Sequence, residues 1–340
     1  MLSNKRITLF LSILLIILTG CAMISEEEAA MREEAGQLTN VQFYVPSEED
    51  DSISIIDIPS SETVGSINTG EKPTNIVFDS TMRNAYVANQ DSSTIGIIDT
   101  QSLEQINEIE VGPLPHGLAL STDNQYLYVS TVGDQFVDVI NTNEEEVVEK
   151  IDLGNQAKSN YLILGNEKLF VTDHENAKVY VIDTSNNEVI ETIDTGNVPR
   201  VVRVNEEASK IYVASSGSNQ IEIYDANSYA KLDVIEMNGD ATDVIISEDE
   251  STAVVSELES NQVEVVDLAT NEIIATIDKL TGAKHLSFNR KESRAYVTLS
   301  GTNEVAVINM ETEKIEEKIQ VGDTPHGIEI KAMPGIGGSC

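Results

Sequence analysis

A pattern of strands and turns recurs through this chain about every 42 residues, and it strongly limits the possible folds. Each unit contains four short runs of apolar and β-branched residues separated by polar turns, as residues 115–154 show. Repeats of this length with four strands per unit are typical of β-propellers, in which each unit forms one blade. The sequence therefore predicts an all-β fold built from four-stranded antiparallel blades.

The two ends of the chain complete the count of blades. Residues 43–67 supply three strands without a first strand, and residues 325–330 supply a first strand without followers. Pairing these ends in one sheet would make a seventh blade and remove the open sheet edges of an unclosed array. We predict a seven-bladed propeller over residues 42–332, closed by its N- and C-terminal strands, with a flexible tail at 333–340.

The second and third strands of the units share a recognisable motif. It is written AYVANQDSSTIGIID from Ala85, LYVSTVGDQFVDVIN from Leu127 and AYVTLSGTNEVAVIN from Ala295. With the Pro-x-Gly that begins the first strands at Pro115 and Pro325, the motif resembles that of the YVTN-type β-propeller repeat family. The unit that starts at Thr242 lacks the proline and glycine. The resemblance covers residues 42–332 and implies the fold, but no single function, because one fold hosts many functions.

The N-terminus has the features of an export signal. Two basic residues precede an apolar run at residues 7–18, which is short for a membrane span but typical of a signal peptide. The run ends in Leu18-Thr19-Gly20-Cys21, which resembles the lipobox of bacterial lipoproteins.

That resemblance implies removal of residues 1–20 as a signal peptide and attachment of lipid to Cys21. The protein is then expected in the cell envelope, anchored to a membrane and facing outside the cytoplasm. Residues 21–41 are acidic and lack an apolar period, so we predict a flexible tether.

Charge and cysteine content exclude several classes of function. The chain has 58 acidic and 21 basic residues, for a net charge of −37, which repels nucleic acid. Its two cysteines, Cys21 and Cys340, cannot form a disulfide framework or a cysteine-based metal site if Cys21 carries lipid. We expect a monomer that does not bind nucleic acid.

One position near the start of each first strand collects most of the chain's histidines. Successive members of this set are 42, 42, 42, 42, 43 and 41 residues apart. First strands line the central channel of a propeller, so the set is predicted to circle one channel mouth. Its members are Thr74, His116, Lys158, Arg200, Thr242, His285 and His326. The fourth histidine, His174, is predicted on the same face but farther from the channel.

Two kinds of site would use this ring. The first is a site for an anion or small ligand, in which a guanidinium and an ammonium supply the positive charge; its candidate residues are Lys158, Arg200, Thr74 and Thr242. The second is a transition-metal site for copper, zinc or iron, since neutral imidazoles suit these ions; its candidates are His116, His285, His326 and His174. A purely structural role for the imidazoles in their turns is the third alternative.

No nucleophile, zinc-protease, phosphate-loop or dinucleotide motif accompanies the ring. The sequence therefore favours a membrane-tethered extracytoplasmic propeller that binds an anionic small ligand, a glycan or a protein partner. The alternative is a metal-dependent enzyme, either an oxidoreductase or a lactonase-like hydrolase, that uses the ring histidines. Arg203 and Glu329, three residues farther along their strands, are expected to form a buried charge pair or, alternatively, to belong to the same pocket.

Overall fold

The computed structural model describes residues 39–205 and 207–332. The predicted signal peptide at 1–20, the lipidation site Cys21 and the tail at 333–340 lie outside the described residues. So does the predicted tether, except for its last three residues.

The described residues form 28 β-strands in seven four-stranded sheets, which we call blades 1 to 7. Blade 1 contains β4 (Pro73–Phe78), β5 (Asn84–Asn89), β6 (Thr94–Asp99) and β7 (Glu104–Glu110). Blade 2 contains β8 (Pro115–Leu120), β9 (Tyr126–Thr131), β10 (Phe136–Asn141) and β11 (Glu146–Asp152). Blade 3 contains β12 (Ser159–Gly165), β13 (Lys168–Asp173), β14 (Lys178–Asp183) and β15 (Glu188–Asp194).

The remaining blades follow the same order along the chain. Blade 4 contains β16 (Pro199–Val204), β17 (Lys210–Ser215), a 3-10 turn at Ser216–Ser218, β18 (Gln220–Asp225) and β19 (Lys231–Glu236). Blade 5 contains β20 (Ala241–Ile246), β21 (Thr252–Glu257), β22 (Gln262–Asp267) and β23 (Glu272–Asp278). Blade 6 contains β24 (Ala283–Phe288), β25 (Arg294–Leu299), β26 (Glu304–Asn309) and β27 (Lys314–Gln320).

Blade 7 combines the two ends of the described chain. It contains β28 (Glu329–Lys331), β1 (Gln42–Ser47), β2 (Ser52–Asp57) and β3 (Glu62–Asn68), paired in that order. β28 is antiparallel to β1, with Phe43 opposite Ile330. The predicted fold class, an all-β seven-bladed propeller of four-stranded antiparallel blades, is confirmed.

The core lies between the blades. The second and third strands of each blade are almost continuously buried, because both of their faces pack against neighbouring blades. Between blades 7 and 6, for example, the rings of Phe43 and Tyr296 lie 4.3 Å apart. First strands of neighbouring blades contact one another, as β4 and β8 do, and they surround the central channel.

Each of blades 1 to 6 has a β-bulge near the start of its first strand. In blade 2, Pro115 is opposite Thr131 but Leu118 is opposite Val129, so one extra residue is accommodated on the first strand. A bulge bends the strand and re-aims its side chains. Two consecutive residues, rather than one, can therefore turn towards the channel at this level.

A second bulge lies in the outermost strand of every blade. In blade 1, Ile97 is opposite Asn107 and Ile98 is opposite Gln105, which leaves Ile106 as the extra residue. In six blades this bulged residue is a large exposed apolar side chain; the six are Val64, Ile106, Val148, Ile190, Leu232 and Ile274. In blade 6 the equivalent residue is Glu316.

Hydroxyl groups join the inner strands of neighbouring blades. The Thr298 hydroxyl accepts a hydrogen bond from the His285 amide (3.0 Å) and donates one to the His326 carbonyl of blade 7 (2.7 Å). Ser130, Thr172 and Ser256 make the same pair of bonds in blades 2, 3 and 5. These bonds fix the bulged residues of one blade against those of the next.

The observed registers correct two members of the predicted ring. In blade 3 the residue equivalent to His116 is Asn160, because Leu162 is opposite Val171 just as Leu118 is opposite Val129. Lys158 therefore lies two residues before the ring.

The sequence period does not reveal the shift in blade 3, because two changes in loop length compensate each other. Two extra residues precede β12, and the turn between β12 and β13 is two residues shorter than the turn between β8 and β9. The total period stays at 42 residues, so spacing alone points to the wrong residue.

In blade 6 the residue equivalent to Thr74 is Lys284, because Ala283 is opposite Leu299 as Pro73 is opposite Asn89. His285 is the next residue, the second of the bulge. The observed ring is Thr74, His116, Asn160, Arg200, Thr242, Lys284 and His326.

Candidate functional site

The central channel contains two chambers, and His285 contributes to the walls of both. The smaller chamber, of about 130 Å³, lies at the level of the observed ring. The larger chamber, of about 630 Å³, is lined by residues farther along the first strands and by the loops that follow them. The predicted ring position therefore does mark a cavity, although only the smaller of the two.

A chain of polar contacts crosses the smaller chamber. Lys284 Nζ lies 2.8 Å from Glu48 Oε1 and 2.8 Å from His326 Nδ1. The His326 Nε2 atom lies 3.1 Å from His116 Nε2. His116 Nδ1 donates to the carbonyl of Asn160 at 3.1 Å, which leaves its Nε2 as an acceptor. The ammonium group of Lys284 therefore has a carboxylate partner, Glu48, which also lies 2.6 Å from His326 Nδ1.

Arg200 is the cation of this chamber that lacks a carboxylate partner among the described residues. Its Nε donates to the Ser216 hydroxyl at 3.1 Å, and its carbonyl accepts a bond from Asn160 Nδ2 at 3.0 Å. Within residues 39–205 and 207–332, no hydrogen bond engages either terminal Nη group. A guanidinium with both Nη groups available is the preferred protein group for forked binding of a carboxylate or phosphate.

Burial keeps the imidazoles of the chamber uncharged near neutral pH. Burial, with the nearby His285 and Lys284, lowers the pKa of His116 to about 3. Burial also holds the pKa of His326 well below its usual value, and Lys284 adds to this effect. The sequence treated the histidines as residues that can carry positive charge. In the chamber, the positive charge without a carboxylate partner is that of Arg200, because Glu48 pairs with Lys284, and burial lowers the pKa of Lys284.

Of the other three residues predicted for the anion site, only Thr242 lines the smaller chamber. Thr242 lines the chamber, but its hydroxyl bonds to the backbone and side chain of Asp240. Thr74 is fully buried and directs its hydroxyl to the Ala88 carbonyl within its own blade. Lys158 Nζ donates to the Gly133 carbonyl at 3.2 Å and does not line either chamber.

The structure separates His174 from the other three histidines. It follows Asp173 at the end of β13 and lines neither chamber. Its Nδ1 atom is buried without a hydrogen-bond partner among the described residues. Burial lowers its pKa, and the nearby Arg200 and Lys158 act in the same direction.

The structure brings together His116, His285 and His326. Their rings pack as neighbours, with His326 4.9 Å from His116 and 5.0 Å from His285 between centroids. Within the described part of the chain, however, no three His, Cys, Asp or Glu side chains are arranged to hold a metal ion. Assignment of a metal to these histidines stays a prediction.

A buried Asp–His pair lies where the two chambers meet. Asp243 Oδ2 accepts a hydrogen bond from His285 Nδ1 at 3.0 Å and one from the Leu286 amide at 3.2 Å. The guanidinium of Arg203 donates to both carboxylate oxygens, at 3.0 and 3.1 Å, and the Val244 amide donates to Oδ1. Although burial opposes ionisation, Arg203 and His285 lower the pKa of Asp243 to about 2.

Two aromatic rings stack against the imidazole of His285. The Tyr161 ring lies 6.1 Å away and the His326 ring 5.0 Å away between centroids, each inclined by 22°. Burial lowers the pKa of His285, against the opposing effect of Asp243. His285 is therefore neutral, with the proton on Nδ1 and a lone pair on Nε2.

Arg203 and Glu329 do not form the expected charge pair. Arg203 pairs with Asp243 instead, and its guanidinium carbon lies 5.1 Å from the centre of the Tyr161 ring. Burial raises the pKa of Glu329 to about 7, and the nearby Arg203 only partly offsets this. Arg203 and Glu329 do, however, both line the larger chamber, together with Tyr161 and His285.

Sequence reasoning did not identify Asp243, Lys284, Glu48, Asn160 or Tyr161 as site residues. For Lys284 a signal was present, since it lies 42 residues from both Thr242 and His326. Asp243 likewise lies 42 residues before His285. The single-position repeat missed these residues because it ignored the second residue of the bulge and any contribution from β1.

The channel is thus that of a closed seven-bladed propeller with a cationic chamber and a larger polar chamber. The chain belongs to the family described as YNCE-like beta-propeller, which it matches over residues 24–333. No curated protein is detectably similar to it in sequence. Among the described residues, no helix has the length and hydropathy needed to cross a membrane.

Several solved structures resemble this chain at low sequence identity. A functionally unknown protein from Desulfotomaculum acetoxidans is 16% identical, with a TM-score of 0.74 over 85% of this chain and 98% of its own. The periplasmic gluconolactonase of Pseudomonas aeruginosa is 16% identical, with a TM-score of 0.73 over 87% and 100%. Hydrazine synthase of Kuenenia stuttgartiensis is 16% identical, with a TM-score of 0.68 over 75% and 88%. At this identity the likeness shows the fold alone.

Proposed function

We propose that this protein is a lipid-anchored extracytoplasmic propeller that binds a small anion, or one anionic group of a larger ligand, in the smaller chamber. One observation carries the proposal. Arg200 lines this chamber, and its two Nη groups have no hydrogen-bond partner among the described residues. A chamber of about 130 Å³ suits a carboxylate or a phosphate-sized oxyanion rather than a whole metabolite.

The neighbours of Arg200 support an anion rather than a metal cation. Lys284 lies at the same wall, but Glu48 contacts it at 2.8 Å, so Arg200 is the cation available to an anion. The imidazoles of His116 and His326 are neutral and can donate or accept hydrogen bonds. In a chain with a net charge of −37, such a local cationic group is the kind of concentration that marks a binding site.

The proposal is tested by calorimetric titration with inorganic phosphate at constant ionic strength. We expect saturable binding to the wild-type protein and loss of binding in Arg200→Ala, because that variant removes the unpaired guanidinium. Lys158→Ala is the matched control: it removes a cation of the same region that does not line the chamber, and it should change the affinity by less than about twofold. Equal binding by Arg200→Ala and the wild type, or no phosphate binding at all, would disprove the proposed site.

The anchoring part of the proposal rests on the lipobox-like segment alone. In cells, Cys21→Ala should move the protein from the membrane fraction to the soluble fraction, and intact-mass measurement of the wild type should show an acylated residue 21. A wild-type protein that fractionates as soluble would count against the anchor without affecting the anion site.

The metal-dependent alternative stays a prediction. Two of the solved structures that share this fold are those of a gluconolactonase and a hydrazine synthase. Those likenesses do not transfer a reaction to this chain, and no residue set described here favours a metal over an anion in the smaller chamber.

A further inference from the structure

The larger chamber is a separate cavity with a composition unlike that of the smaller one. Its volume of about 630 Å³ lies within the usual range for small-molecule sites. Its walls come from residues three positions beyond the ring, including Arg203 and Glu329, and its mouth from loop residues such as Asn205 and Glu248. The anion proposed for the smaller chamber makes no use of these groups.

The charges of the larger chamber disfavour an anionic ligand. Its cation, Arg203, is neutralised by the two-oxygen contact with Asp243, and His285 is uncharged. The carboxyl groups of Glu329, Glu248 and Glu292 also line the cavity. A ligand with a carboxylate or phosphate would meet carboxylates without a free cation to offset them.

The polar atoms of the chamber suit hydroxyl groups. The Nε2 atom of His285 carries a lone pair, is not sealed from solvent, and has no hydrogen-bond partner among the described residues. Asp243 fixes this tautomer by accepting the Nδ1 proton at 3.0 Å. The side chains of Asn75 and Ser287 add neutral donors and acceptors, and the ring of Tyr161 adds an apolar surface.

We propose that the larger chamber binds an uncharged, hydroxyl-rich molecule, one hydroxyl of which donates a hydrogen bond to Nε2 of His285. This ligand differs in charge from the anion of the smaller chamber and is held by different side chains. His285 is the residue common to both cavities, and its Asp243 partner makes it a pre-oriented acceptor.

The test uses two probes of nearly the same size that differ in charge: D-glucose and D-glucuronate. In calorimetric titrations of the wild-type protein we expect glucose to bind and glucuronate to bind at least about tenfold more weakly, a difference of about 1.4 kcal/mol. Tighter binding of glucuronate than of glucose would overturn the proposed charge balance. Absence of millimolar glucose binding would overturn the ligand class.

Two further measurements locate the ligand. Ser287→Trp places a large ring in the larger chamber and should abolish glucose binding while phosphate binding persists, which also shows that the variant folds. In the wild type, the ¹⁵N resonance of His285 Nε2 should shift on addition of glucose and stay in place on addition of D-glucuronate at equal, non-saturating concentration. Glucose binding that survives Ser287→Trp, or a His285 signal that glucose leaves unchanged, would refute the assigned position.

Discussion

Replacement of the buried carboxylate of Asp243 by an amide should expose how strongly this residue stabilises the channel. Asp243→Asn keeps the side-chain volume but leaves the guanidinium of Arg203, whose side chain is only 21% exposed, without a counter-ion. It also removes the carboxylate that accepts the Nδ1 proton of His285. Breaking a fully buried charge pair typically costs about 3–5 kcal/mol.

The pKa of Asp243 gives a second, independent magnitude. Folding lowers this pKa from 3.8 to about 2, which corresponds to about 2 kcal/mol of stability at neutral pH. A carboxyl group with a lowered folded-state pKa stabilises the protein above its unfolded-state pKa, and the stabilisation is lost as the pH falls through the folded-state value. We therefore expect Asp243→Asn to lower the free energy of unfolding by about 2–4 kcal/mol at neutral pH.

The assay is urea unfolding followed by tyrosine fluorescence, since the chain has ten tyrosines and no tryptophan. The matched control is Asp138→Asn, which also alters a fully buried carboxylate bound to a cation, 2.9 Å from Lys150. Because the Lys150 side chain is 47% exposed, it can return to water, and the control should lose only about 1 kcal/mol. An Asp243→Asn loss no larger than that of Asp138→Asn, or one that does not shrink as the pH falls below about 4, would refute the reasoning.

Two more substitutions test features of the scaffold. Burial beside Glu264 raises the pKa of Glu257 from 4.5 to about 8, so this group destabilises the fold increasingly as the pH rises from the lower to the higher of these values. Glu257→Gln should therefore flatten the fall in urea midpoint between about pH 4.5 and about pH 8, whereas an unchanged fall would show that Glu257 is not its source. Thr298→Val removes a hydroxyl that bridges blades 6 and 7, and it leaves a buried amide and a buried carbonyl without that hydrogen-bond partner. The free energy of unfolding should therefore drop by about 1–3 kcal/mol in the same urea assay. A drop below about 0.5 kcal/mol would mean that the bridge contributes little to stability.

The repeat predicts the fold because each unit contains all the local sequence features that are needed to form one blade. Alternating buried and exposed residues, turn residues and strand lengths recur in each unit, and together they specify a blade. The same repeat predicts the level of the smaller chamber, since Arg200 and His116 occupy ring positions in the structure. Local patterns therefore carry the architecture and the approximate place of the site.

The finer geometry depends on quantities that a single periodic position does not contain. In blade 3, two compensating changes of loop length move Lys158 out of the ring and bring in Asn160. In blade 6, the bulge gives Lys284 and His285 different positions that spacing alone did not separate. The pairing of Asp243 with His285 joins two blades, so it depends on how neighbouring first strands align across the channel.

The bulge in the outermost strands limits strand pairing between copies of this protein. A blade ends in an exposed strand that could, if regular, accept the edge of another sheet and start a growing ribbon. The extra residue interrupts the row of backbone donors and acceptors midway along that strand, at Ile106 in blade 1 and at Val148 in blade 2. At high concentration the protein should therefore resist edge-to-edge aggregation even though apolar side chains lie on these outer strands. The bulged residue in each outermost strand prevents continuous backbone hydrogen bonding with the edge strand of another molecule.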